Sequence, residues 1–240
     1  MFELSIEADV ARVTLRRPDV RNAIPLSGWD ELEARLAEVE ASPARLLIVE
    51  GTGAAFCAGA DLGEFTIFRN NEAARSRFRL AMRGALDALA GLPMPTVALV
   101  EGSCYGAGVA LAMACDIRLA GPQARFAITP AKMGISFPQE DVYRLVGLAG
   151  AGAASRLLLA GGSIDSAEAV RIGLADGLAG EAEALIAAIL ANDSASLATL
   201  KRSVSLAVQG VRSDSRQDEA FDSLLGSEAL ARRLAERSAR

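Results

Sequence analysis

Two short apolar runs most constrain how this chain can fold. Residues 46–50 and 96–101 consist largely of aliphatic and β-branched side chains, which is typical of strands that are covered on both faces. Each run leads through a loop of small residues into a segment with helical character. This alternation of strand and helix predicts an α/β domain.

Hydrophobic periodicity predicts the remaining elements. Strict alternation indicates a hairpin of strands at 2–7 and 10–15. Single helices are predicted at 26–40, 71–90 and 106–114, and short strands at 116–119, 125–127 and 174–178. After residue 139 the pattern changes to consecutive helices, at 139–149, 151–160, 166–172, 181–192, 194–209 and 215–237.

The chain of 240 residues contains no histidine. This excludes Ser-His-Asp and Cys-His catalysis and most zinc chemistry, so no metal site is expected. Its three cysteines, Cys57, Cys104 and Cys115, are odd in number and widely spaced, which indicates a reducing, cytoplasmic location rather than a disulfide framework. We interpret them as small apolar fillers, because a thiol nucleophile needs an activating base.

Charge and hydropathy limit the partners that the chain can have. The net charge is −5 and no basic cluster stands out, so nucleic acid is not an expected partner. No apolar run approaches the length that crosses a bilayer, and the first residues lack the basic and apolar regions of a signal peptide. A membrane partner is therefore not expected either.

The loops after the two apolar runs, residues 51–63 and 101–108, carry the chemistry that the sequence suggests. Small residues at a strand-to-helix turn let a ligand approach the backbone and leave peptide N–H groups free. Two such turns side by side can aim two N–H donors at one point, which suits a developing oxyanion.

Four ordered segments resemble the enoyl-CoA hydratase/isomerase (crotonase) superfamily. They are the loop at 55–62, the longer segment at 97–117, the Arg-Arg-Pro at 16–18 and residues 167–174. The resemblance implies a crotonase-like ββα spiral core over residues 1–185. It also implies a C-terminal helical region, 186–240, that is used to form a homotrimer or homohexamer. The implied substrate is an acyl-CoA thioester, and no other cofactor is expected.

The resemblance also assigns roles to single residues. The backbone N–H groups of Ala60 and Ala107 would form the oxyanion hole, with Ala107 standing where the family usually has glycine. Residues expected to contact substrate or CoA are Asn22, Ala23, Ala58, Gly59, Asp61, Leu62, Gly106 and Thr129. We expect the Asp61 carboxylate to cap the following turn rather than to bind a ligand.

The sequence departs from the family where the hydratases place two carboxylates. Ala110 and Pro130 stand at the matching positions, and neither can move a proton. Residues 128–141 resemble a branch that includes methylmalonyl-CoA decarboxylase-like members, and there Glu140 and Asp141 are candidate acid/base residues. Acids at these positions are also favourable simply as first-turn residues of a helix.

The sequence therefore predicts a lyase or isomerase of the enoyl-CoA hydratase/isomerase family that stabilises a thioester enolate. Decarboxylation, isomerisation with one carboxylate, and thioester hydrolysis all remain compatible with these residues. So does a catalytically inactive protein that only binds acyl-CoA.

Overall fold

The computed structural model describes residues 1–238, which form two sheets surrounded by helices. The strands are β1 Phe2–Glu7, β2 Val10–Leu15, β3 Leu46–Gly51, β4 Ala55–Cys57, β5 Thr96–Val100, β6 Ser103–Tyr105, β7 Ile117–Ala120, β8 Arg125–Ala127, β9 Ser163–Asp165 and β10 Gly177–Leu178. The helices are α1 Leu26–Glu40, α2 Glu72–Gly91, α3 Ala107–Ala114, α4 Gln139–Ala160, α5 Ser166–Arg171, α6 Ala182–Leu190, α7 Ser194–Val208, α8 Ser215–Leu225 and α9 Glu228–Ser238. Short 3-10 helices occupy Pro18–Val20, Leu62–Phe68, Pro130–Met133 and Ala179–Glu181.

The strands alternate between the two sheets as the chain proceeds. The larger sheet has the order β1-β2-β3-β5-β7-β10, and the smaller has the order β4-β6-β8-β9. Apart from the β1–β2 hairpin and the β8–β9 pair, neighbouring strands are parallel. The units β3–β4–α2 and β5–β6–α3 each place one strand in each sheet before a helix, as does β7–β8 before α4. The structure thus confirms the α/β class and the ββα spiral.

Three strands were not predicted from the sequence. The strands β4, β6 and β9 are three residues long, too short for a periodic pattern to be recognised. The helix predicted at 215–237 is also wrong, because α8 and α9 are separate helices and Gly226 is the C-cap of α8. The predicted break at residue 150 is confirmed, since Gly150 has φ 74° and ψ 161° and interrupts the helical geometry of α4.

The core lies between the sheets and the helices, and a second apolar layer covers the larger sheet. Trp29, Phe56 and Phe126 are the largest fully buried side chains of the core, and burying such a side chain contributes about 1.5–3 kcal/mol. In the second layer, Leu185 and Ile189 of α6 pack against β3, β5 and β7. The predicted division after residue 185 falls within α6, and as a domain boundary it stays a prediction.

The length and composition of α4 would be sufficient for it to cross a membrane, which corrects the expectation that no apolar segment is long enough. The segments Ala179–Leu190 and Ser194–Val208 also pass this test as a pair, bent by 114°. In both cases the backbone is interrupted. The break at Gly150 leaves two pieces of α4, each shorter than the ~20 residues that a spanning helix needs.

Candidate active site

The two glycine-containing loops meet at positions where only glycine fits. A Cβ on Gly59, which has φ +102°, would lie 2.8 Å from the Tyr105 carbonyl oxygen and 3.3 Å from the Ala107 nitrogen. A Cβ on Gly108 would lie 2.3 Å from the Cys57 carbonyl oxygen. The first turn of α3 therefore packs directly against the backbone of the first loop, and the parallel pairing of β4 with β6 holds the loops together.

The N–H groups of Ala60 and Ala107 have no hydrogen-bond partner among residues 1–238. Ala60 lies opposite Ile24 in a parallel β-bridge, whose two hydrogen bonds are made by the residues on either side of Ala60. The Ile24 nitrogen donates to the Gly59 carbonyl and the Asp61 nitrogen donates to the Ile24 carbonyl, both at 2.8 Å. This pairing directs the Ala60 N–H to the opposite side of the segment. Ala107 is the first residue of α3, where an N–H has no partner within the helix.

Both alanines lie in the wall of one cavity of about 500 Å³, a size typical of small-molecule sites. The cavity lies between the two loops, α2, the 3-10 helix Pro130–Met133 and the start of α4. Most of its wall is apolar, contributed by Phe65, Phe78, Met82, Leu86, Ile135 and Phe137. Charged side chains interrupt this apolar surface, namely Arg79, Arg83, Glu140 and Asp141.

Asp141 is the buried acid of this cavity. Its residue surface is only 1% exposed, and burial raises the pKa of its carboxyl from 3.8 to about 6, although Arg144 and Arg83 act in the opposite direction. Arg144 Nη1 lies 3.4 Å from Asp141 Oδ1, and its Nη2 lies 3.2 Å from Asp87 Oδ1. The carboxyl is thus held beside Arg144 in a poorly solvated position, where its pKa is about 6.

Glu140 lies in the same wall but is exposed. The structure therefore separates the two candidate acids by their environment. A carboxyl whose pKa lies close to the working pH is better suited to exchange protons than one in ordinary contact with water. This difference in burial could not be derived from the sequence, in which the two residues are adjacent.

None of the eight residues assigned to substrate or CoA by resemblance belongs to the cavity wall. Asn22 is fully buried, and its side chain accepts from the Arg17 nitrogen and donates to the Thr52 and Ala55 carbonyls. Its amide is therefore committed to the backbone, which leaves it to shape the loop rather than to bind a ligand. For the remaining residues, contact with CoA stays a prediction: Ala23, Ala58, Gly59, Asp61, Leu62, Gly106 and Thr129.

Asp61 caps the turn that follows it, as expected. Its Oδ1 accepts a hydrogen bond of 3.1 Å from the Gly63 nitrogen at the start of the 3-10 helix Leu62–Phe68. Its Oδ2 lies 3.0 Å from Arg17 Nη1, which also donates to the Ala23 carbonyl. These contacts connect the first loop, which carries Ala60, to the segment at 17–23.

The three cysteines are fully or almost fully buried, with exposures of 0–3%. Burial raises the pKa of Cys57 and of Cys115 to about 12 and that of Cys104 well above its ordinary value. Such thiols stay protonated and are poor nucleophiles. Their role as apolar fillers is therefore confirmed.

Sequence reasoning missed the contribution of α2 to the cavity. The side chains that reach the wall are spaced three or four residues apart, at Phe78, Met82 and Leu86, with Arg79 and Arg83 beside them. Phe65, Phe68 and Phe78 pack together with ring centroids 5.2–5.9 Å apart. The sequence did contain a signal for this contribution, because two arginines interrupt an otherwise apolar face of the helix.

The ββα spiral, with two unbonded loop N–H groups at one apolar cavity, defines an α/β protein of crotonase-like architecture. The family described as "Enoyl-CoA hydratase/isomerase" matches residues 5–227. A Mycobacterium tuberculosis protein named "probable enoyl-CoA hydratase" is 36% identical over 173 residues, which cover 72% of this chain and 67% of that protein. A Mycobacterium bovis protein of the same description is 32% identical over 214 residues, with coverages of 89% and 81%.

Solved structures agree over the full length. An enoyl-CoA hydratase/carnithine racemase from Magnetospirillum magneticum has a TM-score of 0.92 at 29% identity, covering 99% of this chain and 92% of that one. An enoyl-CoA hydratase from Bacillus anthracis has a TM-score of 0.89 at 25% identity, with coverages of 100% and 96%. The chain belongs to the enoyl-CoA hydratase/isomerase family, and it is an acyl-CoA enzyme of that family.

Proposed function

We propose that the enzyme stabilises the enolate of an acyl-CoA thioester, with the thioester oxygen between the N–H groups of Ala60 and Ala107. The observation that carries this proposal is that both N–H groups are unbonded and belong to the wall of the same cavity. Preorganised donors of this kind lower a barrier by about 2.7–4 kcal/mol each. The N-terminal end of α3 adds a partial positive charge at Ala107.

Asp141 is the acid/base residue of this proposal. It lies in the same wall as Ala60 and Ala107, and its raised pKa of about 6 lets it accept a proton at neutral pH and return it. Glu140, the other candidate, is exposed. The choice of Asp141 over Glu140 therefore depends on burial and not on sequence position.

The reaction that fits best is one that needs an enolate and a single acid/base group. Ala110 is fully buried within α3, and Pro130 lies in the cavity wall. Neither side chain can hold or activate a water molecule, so hydration by a pair of carboxylates is not supported. Isomerisation removes a proton from one carbon and returns it to another through one acid/base group, and decarboxylation needs one proton delivered to the enolate carbon after carbon dioxide leaves. We place the enzyme among these two reactions.

The proposed assembly is a homotrimer or a dimer of trimers, located in the cytoplasm. Helices α7 and α8 expose a set of large apolar side chains, which include Leu200, Val204, Val208, Phe221 and Leu225. Of these, Leu200, Phe221 and Leu225 line one groove, and exposed apolar surface of this kind is typical of an interface between subunits. Sedimentation or light scattering of the purified protein would measure the assembly directly.

The proposal is tested with a panel of acyl-CoA thioesters followed by mass spectrometry. Isomerisation leaves the mass unchanged and alters retention, whereas decarboxylation removes the mass of carbon dioxide and hydrolysis releases CoA. Titration calorimetry with an unreactive acyl-CoA thioether gives binding independently of turnover. Absence of binding at about millimolar ligand, where even weak complexes form, would contradict the proposed function. Binding without turnover of any member would instead support the inactive acyl-CoA-binding protein.

A further inference from the structure

The cavity wall contains cationic groups that a hydrocarbon acyl chain would leave without a partner. Arg79 lies in the wall and makes no hydrogen bond or ion pair with any residue of the described part of the chain. Arg83 follows one turn later, so both lie on the same face of α2. The Arg83 Nε lies 2.5 Å from Asp87 Oδ2, and its Nη2 also donates to Asp87. Its Nη1 is buried and has no hydrogen-bond partner among residues 1–238.

These arginines lie among the apolar side chains that surround an acyl group in the proposed function. Phe78, Met82 and Leu86 of the same helix line the cavity together with Ala60 and Ala107. The buried Arg83 Nη1 is unfavourable without a partner. Arg79 is exposed, and its charge at the cavity is compensated by no acid of the described chain. A carboxylate supplies the geometry that a guanidinium binds best. The acids of the same wall do not fill this role, because Asp141 contacts Arg144 and Glu140 forms no ion pair with Arg79.

We infer that the acyl group carries a second carboxylate, remote from the thioester, and that Arg79 binds it directly. Arg83, fixed by Asp87 through Nε and Nη2, adds positive charge next to that carboxylate and offers it the buried Nη1. The substrate class is then a dicarboxylic acyl-CoA thioester. This inference depends on the proposed function, since it assumes that the thioester itself lies at Ala60 and Ala107.

Besides a carboxylate of the acyl group, a phosphate of CoA is the other negatively charged group of the ligand that could bind Arg79. The CoA phosphates are expected near the segment at 17–23, in which Ala23 is expected to contact substrate or CoA. Arg17 in that segment is not part of the cavity wall, whereas Arg79 is. Free CoA serves as the ligand that separates these two sources.

The test compares three ligands by titration calorimetry: glutaryl-CoA, pentanoyl-CoA and CoA. The two thioesters have the same number of acyl carbons and differ in a terminal carboxylate in place of a methyl group. We expect the wild-type protein to bind glutaryl-CoA at least about tenfold more tightly than pentanoyl-CoA, the equivalent of ~1.4 kcal/mol. Mass spectrometry after each titration verifies that the thioester is intact.

The variant Arg79→Met should abolish this preference while changing the affinity for pentanoyl-CoA and CoA by less than about threefold. The control is Arg77→Met, which removes an exposed arginine of the same helix that pairs with Asp30 outside the cavity. It should retain the preference. Because Arg79 is exposed and unpartnered, its replacement removes no contact on which folding depends.

Three results would overturn the inference. The first is equal binding of the two thioesters by the wild-type protein, which leaves the proposed function intact. The second is a preference that persists in Arg79→Met. The third is a loss of free CoA binding in Arg79→Met as large as the loss of glutaryl-CoA binding, which would assign the arginine to a CoA phosphate. Failure of all three ligands to bind the wild-type protein would contradict the proposed function itself.

Discussion

Replacing Asp141 by asparagine should lower turnover and raise stability at the same time. The asparagine side chain keeps the shape of the carboxylate but cannot exchange a proton. If Asp141 is the acid/base residue, turnover of the first active thioester should fall by roughly 10²–10⁴-fold, the usual contribution of a positioned proton donor or acceptor. Affinity for the acyl-CoA should change little, because the charge acts in the chemical step.

The gain in stability follows from the pKa of Asp141. In the unfolded chain the carboxyl titrates near its ordinary value of 3.8, and in the folded protein its pKa is about 6. Between these values the folded state binds more protons than the unfolded state, so the free energy of unfolding falls as the pH rises from about 4 to about 6. At about 1.4 kcal/mol per pKa unit, the ionised carboxyl costs about 3 kcal/mol above this range.

Asparagine carries no charge at any pH and avoids this cost. The free energy of unfolding of Asp141→Asn should therefore exceed that of the wild-type protein by up to about 3 kcal/mol near pH 8, and the gain should vanish near pH 4. The attraction between Asp141 and Arg144, which lie 3.4 Å apart, is already included in the pKa of about 6 and does not reduce the gain further. Urea denaturation at several pH values measures the difference, and Glu140→Gln provides the matched comparison at an exposed carboxyl.

Two results would refute this reasoning. Turnover of Asp141→Asn within about threefold of the wild-type value would remove Asp141 from the proton transfer, since a positioned acid/base contributes far more. A variant that is less stable than the wild-type protein near pH 8 would show that the carboxylate stabilises the fold through Arg144. The first result tests the role of Asp141 in proton transfer, and the second tests the energetic cost of burying its carboxylate. Either claim can fail without the other.

Three further predictions concern the site and its scaffold. Hydration of crotonyl-CoA, followed by loss of the enoyl thioester absorbance, should be slow or absent because Ala110 and Pro130 cannot activate water, and a rate near the diffusional ceiling of about 10⁸ M⁻¹s⁻¹ would contradict this. Gly108→Ala should lower the free energy of unfolding by about 1–3 kcal/mol in a denaturant titration, because its Cβ would lie 2.3 Å from the Cys57 carbonyl oxygen. The control Gly147→Ala, in a helical position with nothing within 4 Å, should gain about 0.5–1 kcal/mol, and equal effects of the two changes would refute the packing argument. Initial rates of the active thioester should rise with pH through about 6 as Asp141 ionises and then level off, whereas a profile without this step would contradict a base at Asp141.

Much of the fold could be predicted because its signals are local. The strands β3 and β5 are continuous apolar runs, and the break of α4 occurs at a glycine. The strands β4, β6 and β9 could not be recognised, because three residues do not establish a period and their pairing depends on partners remote in sequence. The division of the last helix at Gly226 was missed because the amphipathic pattern continues on both sides of it.

In the candidate site, too, some features could be predicted from the sequence and others could not. The loops that carry Ala60 and Ala107 could be located from their small residues, since the need for glycine at Gly59 and Gly108 is a property of the local backbone. Which of the two adjacent acids is buried depended on the tertiary packing at the start of α4, where Arg144 contacts both Asp141 and Asp87 of α2. No pattern in residues 139–141 contains that information.

The sequence by itself determined the α/β class, the absence of histidine chemistry and the loops that expose backbone N–H groups. Composition and short-range backbone preferences are sufficient for these. Only the tertiary structure decided that Asp141 is poorly solvated and that Arg79 shares a cavity with Ala60. Burial and the approach of charges depend on contacts between segments far apart in the chain, and such contacts form only when the helices pack against the two sheets.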